Sequence, residues 1–245
     1  DVYKRQACSS GAKALVSGRR LIQSGLCDVV IVGAVDSITR MTLNGFHSLG
    51  ALSTELCRPF DEHRCGINIG EGAAFFLMTK AEGPVLLMGA GESCDGYNMT
   101  TPHPEGAGAI LAMERALADA QLRAEQIDYV NLHGTATRLN DEMEAKALVK
   151  VFSHNPYCSS SKGQVGHTLG ASGAVEAAFC WLALTQDQSV LPPHIGIEDY
   201  DVDLPELNLV SHATTIEGTV NKIMSSSYAF GGNNISIILS RGSQC

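Results

Sequence analysis

Apolar positions recur at helical spacing over residues 8–24, where Ala12, Leu15, Val16 and Ile22 share one face and Gly25 stands as the stop. From Asp28 to Val35 that period vanishes. DVVIVGAV is a continuous apolar run, the pattern of a strand buried on both faces. A long glycine-containing connection spans residues 36–66, followed by a second buried strand over Ala73–Met78 and a third over Leu86–Ala90. Helical spacing returns over 107–120, with Ile110, Leu111, Leu117 and Ala118 on one side. Tyr129–Leu132 reads as a short strand. Asn140–Phe152 reads as a helix capped by Asn140, with Asp141 and Glu142 suited to its first turn and Ala145, Leu148, Val149 and Phe152 as its buried stripe. Ser159–Lys162 is predicted as a short strand, and Gly170–Leu184 as a nearly all-apolar, deeply buried helix. Lys222–Tyr228 and Ile235–Leu239 read as strands joined through Phe230-Gly-Gly-Asn-Asn234, a hairpin signal. Strands alternating with helices predict an α/β fold with its function in loops beyond the strand ends.

Composition narrows the function classes. The 245 residues are 44% apolar and 18% charged, a globular balance. With 17 Lys and Arg against 26 Asp and Glu, the net charge of −9 argues against broad contact with nucleic acid or anionic membrane. No apolar run approaches the ~20 residues that span a bilayer. The opening DVYKRQACSS has no apolar stretch of a secretory leader. None of the eight cysteines forms a CxxC pair, so metal-knuckle spacing is absent and no metal site is expected. A chain this rich in core residues needs no disulfide frame. The thiols are read as reduced, in a reducing compartment, with the cytoplasm the expected location.

A few residues have the setting for chemistry. Cys8 opens the first predicted helix in Ala-Cys-Ser-Ser-Gly, where the positive helix end would lower a thiol pKa; the plainer reading is a packed cysteine. His133 ends a strand and opens His-Gly-Thr-Ala-Thr, a place for an active-site residue or for a histidine satisfied by turn backbone. His167 lies in a segment with four glycines within a dozen residues, which brings backbone close to a ligand or to another helix. Lys162, five residues earlier, is a charge partner or a solvated lysine. Phe230-Gly231-Gly232 is a hairpin turn or a source of oxyanion-hole N–H groups. A hydrolase triad would also use Cys and His. Two glycine-flanked histidines suggest instead that neutral imidazoles polarise a carbonyl.

In order along the chain stand Ala7-Cys-Ser-Ser-Gly11, Pro59-Phe-Asp61 with Arg64, Gly70-Glu-Gly72, His133-Gly-Thr-Ala-Thr137, Lys162 with Gly166-His167 and Gly170-Ala-Ser-Gly173, and Phe230-Gly-Gly232. The series resembles the β-ketoacyl-acyl-carrier-protein synthases of elongating type. The resemblance covers nearly all of the chain after residue 6.

The resemblance implies a thiolase-like fold layered α-β-α-β-α with much of its N-terminal half missing. Residues 1–84 would be the remainder of that half, and 85–245 the C-terminal half. It implies acyl transfer to Cys8, decarboxylation of malonyl on acyl-carrier protein, and condensation of the carbanion with the acyl thioester. His133 and His167 would stabilise the enolate oxygen, and Lys162, paired with Glu144, would tune the histidines. The N–H groups of Cys8 and Phe230 would bind the thioester oxyanion, with Phe230 gating the acyl pocket. Thr135 and Thr137 would contact the phosphopantetheine arm, which enters on the carrier and not as a resident cofactor.

A homodimer, or a heterodimer with a related subunit, is expected, with no nucleic-acid or membrane partner. Arg19, Arg20, Arg58 and Lys13 are candidates for a basic patch facing an acidic carrier protein. Cys65 stands where the family has an acidic residue, and Asn233 where it has Thr or His. The polar segment Asp1–Gln6 is read as foreign to the fold or as a boundary artefact. Two other readings are a non-catalytic partner subunit resembling a chain-length factor, and an inactive fragment.

Overall fold

The computed structural model describes all residues except 1, 2, 5, 187–189, 213, 215, 217 and 243–245. A 3-10 turn, Ala7–Ser9, leads into α1 (Ser10–Gln23), followed by β1 (Val29–Asp36) and α2 (Arg40–Ser48). Then come β2 (Gly72–Thr79), β3 (Val85–Cys94), α3 (Ala107–Ala120), β4 (Tyr129–Asn131) and α4 (Arg138–Val151). The chain ends with β5 (Tyr157–Ser159), α5 (Lys162–Val165), α6 (Ser172–Thr185), β6 (Lys222–Ala229) and β7 (Asn233–Arg241).

A five-stranded sheet of order β3-β7-β6-β4-β5 forms the centre. β4 runs parallel to both β5 and β6, while β7 is antiparallel to β6 and β3. β6 and β7 are covered on both faces, which explains their near-continuous burial. On one face, α3 and α4 bury Met113, Leu117, Leu148 and Phe152 against Met224 and Ile238. On the other, α1 and α6 bury Leu15, Val16, Ala177 and Leu184 against Ile223, Ile235 and Ile237. The far side of α1 and α6 carries the antiparallel pair β1-β2 through Val30, Val32, Phe76 and Met78. Four layers are therefore visible, helix-sheet-helix-sheet, in agreement with the expected thiolase-like order.

The sequence map misplaces several features. β1 and β2 are buried on one face only. Val29, Ile31, Val35, Phe75 and Leu77 are exposed on the other, with Ile31 76% and Leu77 70% accessible. An apolar run alone does not reveal whether a layer lies beyond it. The connection 36–66 contains α2, closed at its start by a capping box between Thr39 and Thr42. α4 begins two residues early, at Arg138 after the N-cap Thr137, so Asn140 sits in its first turn and caps nothing. The predicted strand Ser159–Lys162 ends at Ser159, because Lys162 starts the short helix α5. α6 starts at Ser172 and leaves Trp181 and Leu182 partly exposed. The sheet is mixed, since the Phe230–Gly232 turn closes an antiparallel hairpin as its sequence suggested. Of Asp1–Gln6, positions 1, 2 and 5 lie outside the described residues, as does Cys245. The other seven cysteines are free.

Ile31 and Leu77 are direct cross-strand partners on the open face of β1-β2. An exposed apolar face of this kind drives self-association. The 245-residue chain is therefore expected to self-associate at micromolar concentration by light scattering. Ile31→Glu with Leu77→Lys, an opposite-charge pair across the strands, should reduce the scattering while shifting stability by less than about 1 kcal/mol.

Candidate active site

Cys8 sits in the tight turn before α1, buried, with Ala7 held at φ 48°. A left-handed backbone at a non-glycine residue is uncommon and marks a turn that its surroundings enforce. Hydrogen bonds from the Gln6 N–H to Ser10 Oγ and from Ser9 Oγ to the Gln6 carbonyl brace it. The thiol points to His167, whose Nε2 lies 3.0 Å from Cys8 Sγ. His167 is held through its own N–H, which donates to the Asn68 carbonyl at 2.7 Å.

His133 leaves the end of β4, where the Leu132 N–H donates to the Ser159 carbonyl. Its ring meets that of His167 edge-on at 5.4 Å between centroids. The buried carboxylates of α4 secure this loop. Glu144 accepts from the His133 and Gly134 N–H groups, each at 2.7 Å. Asp141 accepts from Thr135 N–H at 3.1 Å and Phe60 N–H at 2.9 Å. The arrangement corrects one expectation: Lys162 does not pair with Glu144, because both Glu144 oxygens are engaged by backbone. The Lys162 ammonium instead binds Glu176 Oε1 at 2.5 Å, the His133 carbonyl, and His133 Nδ1 at 3.4 Å.

The electrostatics follow from this burial. An ammonium only donates, so His133 Nδ1 accepts and the ring carries its proton on Nε2. His167 Nδ1 is buried without a partner among the described residues. A buried lone pair costs less there than a buried N–H, which again favours the Nε2–H form. Burial first, then the charge of Lys162, holds both imidazoles well below the usual histidine pKa, so both are neutral. Burial pushes the Cys8 thiol up to about 12, with Lys162 the main opposing influence. The expected lowering by the helix end is therefore outweighed by desolvation. Burial also raises Glu144 to about 8 and Asp141 to about 6, against their N–H donors.

Cys8, His133 and His167 line a cavity of about 360 Å³ together with Thr135, Thr137 and Phe230. Thr135 and Thr137 join through their hydroxyls at 2.8 Å. Lys162 and Glu144 lie behind the histidines, in contact with His133 and absent from the wall. A second, larger cavity under β1 shares Cys8, Phe46 and Phe230 with the first. Phe46 stacks on Phe230 at 5.8 Å, so this aromatic pair stands between the two spaces at the thiol.

The expected basic patch does not form. Arg19 pairs with Asp119, Arg20 with Glu92, and Arg58 with Glu55 and Glu198, while Lys13 is buried. Glu176 was missed in the sequence, although an acid inside an otherwise apolar helix was a usable signal, since a buried charge requires a partner. Phe46, inside the long connection, and Asn68, just beyond it, gave no comparable signal.

Residues 4–83 match the family model described as Beta-ketoacyl synthase, N-terminal domain, and residues 85–198 the model Beta-ketoacyl synthase, C-terminal domain. A mitochondrial 3-oxoacyl-[acyl-carrier-protein] synthase of Arabidopsis thaliana is 38% identical, over 95% of this chain and 54% of that protein. A putative mitochondrial 3-oxoacyl-[acyl-carrier-protein] synthase of Schizosaccharomyces pombe is 35% identical, over 94% of this chain and 59% of that protein. The chain thus spans about three fifths or less of these relatives. Among solved structures, the ketosynthase ApeO in complex with its chain length factor ApeC, from Xenorhabdus doucetiae, aligns at TM-score 0.92 and 47% identity. That alignment covers 97% of this chain and 59% of the other. A β-ketoacyl synthase from Burkholderia phymatum aligns at TM-score 0.90 and 31% identity, over 97% of this chain and 60% of the other.

One prediction concerns the charges around the thiol and another the Glu144 clamp on the His133 loop. Lys162 lowers the Cys8 pKa and Glu176 raises it. Alkylation of Cys8 by iodoacetamide should rise with pH through the neutral range, slow further in Lys162→Met and speed up in Glu176→Gln, as read by mass spectrometry at pH 8. Glu144→Gln sets an amide N–H₂ against a backbone N–H at His133 or Gly134. It should destabilise the fold by about 1–3 kcal/mol in denaturant melts.

Proposed function

The chain belongs to the β-ketoacyl synthase family, and from that premise we propose that the intact protein elongates an acyl chain by decarboxylative Claisen condensation. The observation that carries the reading is the 3.0 Å approach of His167 Nε2 to Cys8 Sγ, with a second neutral histidine at its side. Cys8 takes the acyl group from the sulfur of a carrier-protein phosphopantetheine arm, and the freed arm leaves as a thiol. A malonyl thioester then enters along Thr135 and Thr137. His133 and His167 donate through Nε2 to its thioester oxygen as carbon dioxide departs and an enolate forms. The enolate carbon attacks the acyl carbonyl on Cys8, the Cys8 sulfur leaves, and the product remains on the carrier. The N–H groups of Cys8 and Phe230 serve the oxyanion of each acyl-transfer step.

Neutral imidazoles suit this task, because preformed donors stabilise a developing oxyanion without first losing a charge. Lys162 and Glu176 act behind them as positioning residues. No resident cofactor is invoked. Arg138, at the start of α4, is the basic residue of the cavity wall and faces the incoming carrier. No helix among the described residues is long and apolar enough to cross a membrane. Seven free thiols suit a reducing compartment such as the cytoplasm. Similarity to a ketosynthase solved with its chain length factor, and to the ishigamide ketosynthase/chain length factor, supports a related subunit as partner. The intact Cys8–His167 contact favours the catalytic member of such a pair over a non-catalytic one.

Incubation of the intact protein with acyl-carrier protein should add one acyl mass to Cys8, and Cys8→Ala should show none. His133→Ala and His167→Ala should keep the adduct but lose at least about a hundredfold in malonyl decarboxylation, the scale of one oxyanion donor. An equal adduct on Cys8→Ala would overturn the reading. Arg138→Ala should raise the KM for carrier protein with little change in kcat.

A further inference from the structure

Lys13 is a buried lysine that the chemistry above does not use. It lies on α1 five residues after Cys8 and is 5% exposed. Its ammonium donates to Asn233 Oδ1 at 3.3 Å and pairs with Glu92 Oε2 at 3.4 Å. Arg20 holds the other Glu92 oxygen at 2.8 Å, which fixes that carboxylate from two sides. A desolvated ammonium persists only where its partners are in place. Three elements therefore meet at one cation: the nucleophile's helix, the end of β3, and the first residue of β7.

Asn233 is the base of the Phe230–Gly232 loop. It pairs with Ala229 across the hairpin and with Cys94 across the neighbouring strand. Accepting from Lys13 through Oδ1 turns the Asn233 N–H₂ towards Gly231. A Cβ at Gly231 would lie 3.3 Å from that nitrogen. Gly231 and Gly232 are both left-handed, at φ 80° and 71°, so the loop has a backbone suited to a hinge. On its β3 side the loop is held by backbone, with Gly231 N–H donating to Met99 O and Asp95 N–H to Gly232 O. On its α1 side the loop is tied through the hydrogen bond from Lys13 to Asn233.

We propose that Lys13, through Asn233, is a positioning residue that sets the resting place of the Phe230 loop over Cys8, and so selects which acyl chains reach the thiol. The proposal deepens the ketosynthase reading and rests on it for its acyl substrates. Loop position itself is independent of that reading. Lys13 reaches neither the thiol nor the histidines in this arrangement. Its effect is on access, not on the bond-making step.

The test uses the intact protein with 4-fluorophenylalanine placed at position 230, in wild type, Lys13→Met, Lys13→Arg, Asn233→Thr and the Met/Thr double variant. The first readout is the fluorine resonance of residue 230. It should shift or broaden in Lys13→Met and in Asn233→Thr, change no further in the double variant, and return towards wild type in Lys13→Arg. Asn233→Thr keeps a residue that suits a strand, so it folds even where Lys13→Met does not. The second readout is transfer of hexanoyl and dodecanoyl groups from acyl-carrier protein to Cys8. The ratio of the two rates should change by about tenfold, the scale of one charged hydrogen bond, while alkylation by iodoacetamide, which is small, stays within twofold. Resonances unchanged in both single variants, or rate effects that multiply in the double variant, would overturn the proposal. Absence of any acyl transfer in wild type would sink the ketosynthase reading, and the fluorine resonance would still decide whether Lys13 sets the loop.

Discussion

The site depends on one buried cation. Lys162 lies 1% exposed beside Glu176, between the end of β5 and the start of α6. An ammonium has three hydrogens, and here each has an acceptor: the Glu176 carboxylate, the His133 carbonyl and the His133 ring. Such a group has no proton to spare and no room to turn. It acts as a fixed charge that holds one imidazole in a single tautomer and depresses the protonation of both. Removing either partner of the pair would leave a charge stranded in the apolar interior, which is why the pair is costly to break even though forming it gains little.

Around that charge, burial acts in opposite senses on different groups. It keeps the thiol protonated and the histidines uncharged, so the resting site holds dipoles where a solvent-exposed site would hold ions. Backbone strain is concentrated in the same region. Ala7, Phe60, Ala136 and Leu169 all adopt left-handed φ, between 48° and 65°; Ala7, Ala136 and Leu169 each lie within two residues of a cavity-lining residue, and Phe60 donates its N–H to Asp141. Residues in such conformations persist only where the surroundings over-determine them. Here Asp141 does part of that work, since one carboxylate joins the Phe60 turn to the Thr135 turn.

The parts of the molecule that were legible in sequence are those governed by local periodicity and by short motifs. α3 was bounded to the residue, although Leu111 and Ala118 of its expected apolar face turn to solvent and Ala109, Ala112, Met113 and Ala116 are buried instead, and the β6-β7 hairpin was recognisable by its glycine pair. Cys8, His133 and His167 stood out because glycine and small residues flank each of them. What sequence did not reveal depends on the third dimension. The bare face of β1-β2 differs from a buried one only in what lies beyond it. The choice of Glu176 over Glu144 as the partner of Lys162 turned on which carboxylate the backbone had already claimed. Phe46 meets Phe230 from a helix whose short amphipathic pattern was hidden inside a long connection. The four cations offered as a docking patch each found an anion within the fold.

α1 and α6 start side by side, one just after Cys8 and the other just after His167. A Cβ on Gly11 would come within 2.7 Å of the Ala174 nitrogen, and one on Gly173 within 2.7 Å of the Ala12 nitrogen. Two hydrogen atoms, one on each glycine, thus set how closely the helices that carry thiol and imidazole approach. Walls of the cavity can vary in size and polarity and still leave a working pair. The floor cannot gain a single methyl group without driving its two reactive atoms apart. Sequence drift in a lineage of such proteins would therefore be confined to the rim, and new substrates would be acquired there while the chemistry stayed the same.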